Sequence, residues 1–139
     1  MTPPLIRLGT DADVAAVLAL WALADAVPSV TDDETNVRRA VEHEVLLVAC
    51  EGERVVGTLI ATFDGWRGNM YRLAVDPAHR RRGLALALVT EGERRLEAQG
   101  CRRVTALVIA AEDHATSFWP RAGYELDERI ARYVKTTRV

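Results

Sequence analysis

Only two cysteines occur in the 139 residues, Cys50 and Cys101. With no CxxC spacing and no histidine pair near either, both read as reduced structural thiols. The three histidines, His43, His79 and His114, have no metal-ligand spacing among them and are expected as surface residues, so no metal site is expected. No local motif suggests a Ser-His-Asp or Cys-His arrangement. An excess of positive charge is also missing: the formal net charge is -2 and the pI is about 5.9, which argues against a dedicated nucleic-acid binder. No apolar run approaches the roughly 20 residues that span a bilayer. The N-terminus shows no basic segment leading into an apolar one, so a cytoplasmic protein without a membrane partner is expected.

What is present has the balance of a soluble globular chain, 49% hydrophobic and 27% charged. The length suits one domain, residues 1–139, with no repeat, linker or low-complexity segment. Pro4 to Leu8 reads as a strand. Thr10 with Asp13 reads as a helix start ahead of Val14, Val17, Leu18 and Trp21, the helix ending near Ala26. Thr31 with Glu34 predicts a second helix carrying Val37, Ala40 and Val41. "EVLLVAC" and "VVGTLIATF" flank the turn-like "EGER" and predict an antiparallel hairpin, with Gly57 marking a bulge. The turn "DGWRG" then leads to a third strand, Asn69 to Val75.

From Gly83 to Gln99 the period becomes helical, with Ala85, Leu88, Val89 and Leu96 on one stripe and a Glu91/Arg95 pair on the other. Gly100 is placed to stop this helix. "RVTALVI", Arg103 to Ile109, reads as a strand covered on both sides and parallel to Asn69–Val75, because a long helical crossover separates them. A short helix from Asp113 to Arg121 and a strand pair between Tyr124 and Lys135 complete the reading. The fold class is α/β (α+β), a mixed, mostly antiparallel sheet with a parallel central pair that splays, flanked by about four helices.

The chemistry concentrates in "AVDPAHRRRGLALALV", Ala74 to Val89, where a strand runs through Asp76-Pro77 into three arginines, a glycine and a helix. The first N–H groups of a helix lack intrahelical partners and carry the positive end of its dipole, so they favour an anion. Three cations at that position are unfavourable without one. Gly83 leaves the approach bare, Ala85 keeps the first turn small, and Arg81 and Arg82 can add charge-assisted hydrogen bonds. The stretch is not GxxxxGK[ST], which needs Lys and Ser/Thr after the glycine, and not GxGxxG, since it has a single glycine.

Arg80-Arg81-Arg82-Gly83-Leu84-Ala85 resembles the (Q/R)xxGx(G/A) loop of the GNAT superfamily of N-acetyltransferases, and the flanking "LAVDPAHRRRGLALALV" resembles that superfamily's acyl-CoA-binding segment. The order of elements resembles the family over essentially the whole chain. The family's NxxAxxFYxxxGF segment is matched by Glu112, Ala115, Phe118-Trp119 and Gly123-Tyr124. "DGWRG" resembles a smaller group of uncharacterised bacterial acetyltransferases.

The resemblance implies acetyl-CoA or CoA as donor, its pyrophosphate on Arg81 to Ala85, with Arg80 at the Q/R position. It implies a pantetheine arm paired with the backbone of Leu73, Ala74 and Val75 and flanked by Ser117 to Trp119. The reaction implied is direct attack by a neutral amine on an acyl thioester, with the Leu73 N–H stabilising the oxyanion. Two positions depart from the family: Asn69 stands where some members place a glutamate base, and Trp119 where many have a tyrosine acid. Either positioning and a water chain suffice, or another side chain moves the proton. Tyr71 is the first candidate and Tyr133 the second, although each also reads as a packed aromatic. Asp64, Trp66 and Arg67 are candidate acceptor-site residues and equally an ordinary hairpin loop.

The leading expectation is therefore an N-acyltransferase acting on a primary amine of a small molecule or a protein, without a nucleic-acid partner. The alternative is a CoA-binding regulatory module that has lost catalysis. The family's frequent dimers leave a homodimer open.

Overall fold

The computed structural model describes residues 4–24, 28–109 and 113–138, without the side chains of 113–115. It divides into two compact units, Met1–Leu107 and Val108–Val139. The first contains a five-stranded sheet in the order β1-β2-β3-β4-β5, formed by Leu5–Leu8, Leu46–Glu51, Arg54–Phe63, Gly68–Val75 and Val104–Ala106. All pairs are antiparallel except β4 with β5. The helices are α1, Val14–Leu23, α2, Glu34–Glu42, and α3, Leu84–Ala98; the second unit holds α4, Asp113–Arg121. The mixed α/β class, the parallel pair and the four helices match the sequence reading. The parallel pair, however, lies at the margin of the described sheet rather than at its centre.

Strand alternation divides the core between two faces. On one, Val14, Val17, Leu20 and Trp21 of α1 and Val37 of α2 pack with Leu46, Val48, Cys50 and Ala74. On the other, α3 approaches closely at glycines. A Cβ on Gly92 would lie 2.9 Å from Leu59 and 3.0 Å from Met70, and one on Gly57 would lie 3.0 Å from Leu88. Leu88 and Leu96, 0% and 1% exposed, fill that layer, so truncating either to Ala would cost about 2–5 kcal/mol.

The start of α1 is held by charge. Asp13 accepts from the Thr10 N–H at 2.8 Å and from Arg7 at 2.7 and 3.0 Å. These contacts, the Arg7 hydrogen bond first, lower its carboxyl from 3.8 to about 2. The expected end of this helix near Ala26 falls at residues 25–27, outside the described ones. The α2 cap is Asp33 rather than Thr31: its carboxylate accepts the Asn36 N–H at 2.8 Å, satisfying an orphan donor of the first turn. The β2–β3 register shifts between Ala49 and Cys50, which forms the bulge expected at Gly57.

Two of the expected strand features also fail. β5 is three residues long, with Val104 and Ala106 half-buried and Thr105 exposed, so it is not covered on both sides. No strand pair forms among the described residues of 124–138: Leu126, Ile130, Tyr133 and Val134 are 84%, 71%, 94% and 74% exposed, so the alternation there has no partner to bury it.

Candidate functional site

β4 carries the first element of the site. Its register against β3 shifts between Thr58 and Ile60: Ile60 faces Tyr71, whereas Thr58 faces Ala74. One extra residue is accommodated at Arg72-Leu73, with Arg72 at φ +52, a left-handed conformation rare for a residue with a Cβ. The bulge changes the strand's parity. Asn69 and Tyr71 share a face, but Ala74, not Leu73, continues it, contrary to simple alternation. Asp76 N–H donates to Val56 C=O at 2.8 Å, so by ladder alternation Ala74 also turns its backbone groups to β3 while Leu73 and Val75 turn theirs away.

On that outer side the pairing with β5 ends early. Its last register pair is Met70 with Ala106, followed by one bond from Leu107 N–H to Met70 C=O at 3.0 Å. Beyond it, among the described residues, Leu73 to Val75 have no β5 partner. An extended chain could pair there.

The second element begins where β4 ends. Asp76, 3% exposed, caps a single 3₁₀ turn, Pro77–His79, by accepting the Ala78 N–H at 2.9 Å. That bond, aided by Arg54 and His79, holds its carboxyl below the usual range. Arg54 Nη2 lies 2.9 Å from Asp76 Oδ2. His79 Nε2 lies 2.9 Å from Glu51 Oε2, and Arg82 Nη1 lies 3.5 Å from the same oxygen. The β2–β3 turn thus anchors the loop on both sides. His79 is no surface residue: its side chain is 12% exposed, held between the carboxylates of Glu51 and Asp76.

Past this anchor the backbone opens. Arg81 at φ +66 and Gly83 at φ +77 flank Arg82, and left-handed residues in such a turn converge successive N–H groups into an anion-binding concavity. Gly83 is the N-cap of α3 and no side chain caps it. The first intrahelical bond runs from Ala87 N–H to Gly83 C=O at 3.0 Å, leaving the Leu84, Ala85 and Leu86 N–H groups without a partner in the helix. A Cβ on Gly83 would meet nothing within 4 Å. Arg80 and Arg81 are exposed and have no acidic partner among the described residues. Uncapped donors, exposed arginines and open space suit a pyrophosphate, and a β4 edge unpaired among the described residues suits an extended pantetheine arm.

A family model described as the acetyltransferase (GNAT) family matches residues 15–124. The chain belongs to that family. Membership makes it an N-acetyltransferase, with acetyl-CoA as acyl donor. It is 32% identical over 127 residues to Acetyltransferase SG1711 of Sodalis glossinidius (strain morsitans), covering 90% of this chain and 89% of that one. Its fold is similar to that of the PaiA N-acetyltransferase of Thermoplasma acidophilum in complex with coenzyme A, with TM-score 0.80, 12% identity and coverage of 91% and 92%. It is also similar to AAC(6')-Iy in complex with the bisubstrate analog CoA-S-monomethyl-acetylneamine, with TM-score 0.77, 18% identity and coverage of 98% and 100%.

The remaining candidates fall into separate groups. Tyr71 and Asn69 are half-buried on β4. Asp64 closes the turn before β4, accepting the N–H groups of Trp66 and Arg67 at 2.8 Å each, and the Arg67 guanidinium lies 4.4 Å from the centre of the 76% exposed Trp66 ring. In the second unit Ser117 is exposed, Trp119 is 7% exposed and edge-on to Phe118 and Tyr124, and Tyr133 is 94% exposed. Sequence reasoning missed Glu51, Arg54, Thr58 and the buried role of His79. The "EGER" turn was visible, but its meeting with the arginine loop depends on β3 pairing with β4.

Proposed function

We propose that this acetyltransferase moves the acetyl group of acetyl-CoA to a primary amine of a small molecule or a protein by direct attack, with the loop of Arg80 to Ala85 holding the donor's pyrophosphate. The observation that carries the reading is the set of helix N–H groups behind Gly83, uncapped and bordered by Arg80 and Arg81, which have no acidic partner among the described residues, at the end of a strand whose outer edge beyond Met70 has no β5 partner among those residues. Leu73 to Val75 pair with the pantetheine arm. Leu73 N–H, turned away from β3 by the bulge, donates to the acyl oxygen as negative charge develops there.

The amine nitrogen attacks as the neutral base, forms the new C–N bond, and gives up a proton as the C–S bond breaks. Of Asn69, Tyr71 and Ala74 on one face of β4, only Tyr71 carries an ionisable group, and it is the first candidate to pass that proton on. Trp119 offers no phenol to the departing thiolate, which takes its proton from water. Asp64, Trp66 and Arg67 are assigned to the acceptor side.

A screen of amines by thiol release, run beside calorimetric titration with CoA and acetyl-CoA, tests the reading. Binding with amine-dependent release is the expected result. Tight binding without release across diamines, amino-sugar amines and peptide N-termini would leave a regulatory CoA-binding module instead.

A further inference from the structure

The bulge in β4 requires Arg72 to hold a left-handed backbone that strand pairing alone disfavours. Its support comes from elements distant in sequence. Thr58 on β3, 0% exposed, donates its hydroxyl to Arg72 C=O at 2.9 Å. The indole N–H of Trp21 on α1, 4% exposed, donates to the Thr58 oxygen, also at 2.9 Å. The hydroxyl has one proton, directed to Arg72, and its lone pair accepts the hydrogen bond donated by the indole N–H, so the chain from Trp21 through Thr58 to Arg72 has a single direction.

The Arg72 side chain closes the circuit. Its Nη2 lies 2.6 Å from Asp32 Oδ2, both side chains being largely buried, and its guanidinium carbon lies 5.2 Å from the Trp21 ring centre. Asp32 also accepts the Ser29 N–H at 3.0 Å, within the connection ahead of α2. Trp21 is therefore engaged at its N–H by Thr58 and at its ring by the residue whose backbone Thr58 holds. A side chain kept only for packing would not need both.

We propose that Trp21 and Thr58 are positioning residues for acyl transfer: they lock Arg72 in the left-handed state that aims the Leu73 N–H at the thioester oxygen, and the Arg72–Asp32 pair fastens the α1–α2 connection to the same bulge. This inference rests on the oxyanion role proposed for Leu73. Its reach is limited to the acyl end of the donor, because the Gly83 loop is anchored separately by Glu51, Arg54 and Asp76.

The test follows the Leu73 amide resonance by NMR in complexes with CoA and with acetyl-CoA, alongside the affinity for each by calorimetry. In the unaltered protein the acetyl group is expected to move this resonance relative to CoA. Thr58→Val, nearly isosteric but without the hydroxyl, is expected to abolish the acetyl-dependent displacement and to leave CoA affinity within about twofold, because the separately anchored Gly83 loop keeps its hold on the pyrophosphate. Thr58→Ser is expected to restore it. With an acceptor amine in hand, kcat in Thr58→Val is expected to fall at least about tenfold, less than the roughly 100- to 1000-fold of an oxyanion donor removed outright, because the Leu73 N–H is misaimed rather than lost. Trp21→Phe keeps an aromatic ring, though a smaller one, and removes the N–H, and serves if Thr58→Val does not fold; it is expected to reduce the displacement. A folded Thr58→Val or Trp21→Phe that keeps the full displacement overturns the inference, as does a loss of CoA affinity that Thr58→Ser fails to repair. If the unaltered protein shows no displacement, the oxyanion role of Leu73 itself fails, and this inference with it.

Discussion

At one end of β4, the Asp64 carboxylate accepts both N–H groups that the turn exposes, and the Arg67 guanidinium lies over the ring of Trp66. At the other end, Asp76 and Glu51 anchor the connection; the chain passes through two left-handed residues and reaches α3 with its first N–H groups uncapped and with Arg80 and Arg81 lacking an acidic partner among the described residues. Both turns use aspartate, arginine and glycine. The difference lies in where the donors go: one turn satisfies itself, whereas the other leaves donors and positive charge facing outward, which favours an anion there.

The largest expected effect uses the glycines. Gly65 and Gly83 both have positive φ, +95 and +77, and open space where a Cβ would stand. Aspartate therefore strains both backbones similarly, by about 1 kcal/mol. Gly83→Asp places a carboxylate among the helix N–H groups and is expected to weaken CoA binding by more than about 100-fold, since it both occupies the anion site and repels the ligand. Gly65→Asp is expected to lower thermal stability and leave CoA affinity unchanged. Calorimetry and thermal unfolding on the two variants separate strain from ligand contact, and equal affinities would break the comparison.

Asp13 extends the comparison to a carboxylate that faces an arginine as well as its own backbone. Its carboxyl is lowered from 3.8 to about 2, chiefly by the Arg7 hydrogen bond. A depressed pKa stabilises the fold above the unfolded value, and the contribution disappears as pH falls through about 2. At pH 7 Asp13→Asn is expected to cost about 2 kcal/mol. The gap between variant and parent should close between pH 4 and pH 2 in urea unfolding. A gap independent of pH would mean that packing, not charge, holds the start of α1.

How much of this was legible depended on how local the cause was. α3, its glycine start and the β2–β3 hairpin follow from the period of their apolar residues and from adjacent turn chemistry. The Arg72 bulge was illegible: "YRLAV" reads as plain strand, and what stabilises the left-handed residue is a hydroxyl on β3 and an indole on α1. Thr31 is the cap expected from the sequence, but the backbone places Asp33 at the extended position before the helix. The expected strands after Tyr124 failed for the same reason, because alternation describes a face and not the partner that buries it.

Arg80 and Arg81 supply a smaller effect. Replacing both by Ala is expected to weaken CoA binding about tenfold at low salt, with the ratio shrinking near 0.5 M salt as exposed charges are screened. Arg67→Ala, at the other turn, should show no salt-dependent change. A loss for the double variant that persists at high salt would assign these side chains a contact that charge alone does not explain.

Asp64→Ala carries the smallest expected effect and bears most directly on the comparison. Its carboxyl is held below its ordinary value by the Arg67 and Trp66 N–H groups, so the charged form belongs to the folded turn. Both donors are exposed and pass to water when the carboxylate is removed. Thermal unfolding should therefore show a small decrease in Tm that fades as the pH falls below the carboxylate range, and calorimetry should show no change in CoA affinity. A clear loss of CoA affinity would mean that the turn before β4 sets the strand's outer edge as firmly as the bulge does, and the two ends of β4 would then act on the donor together.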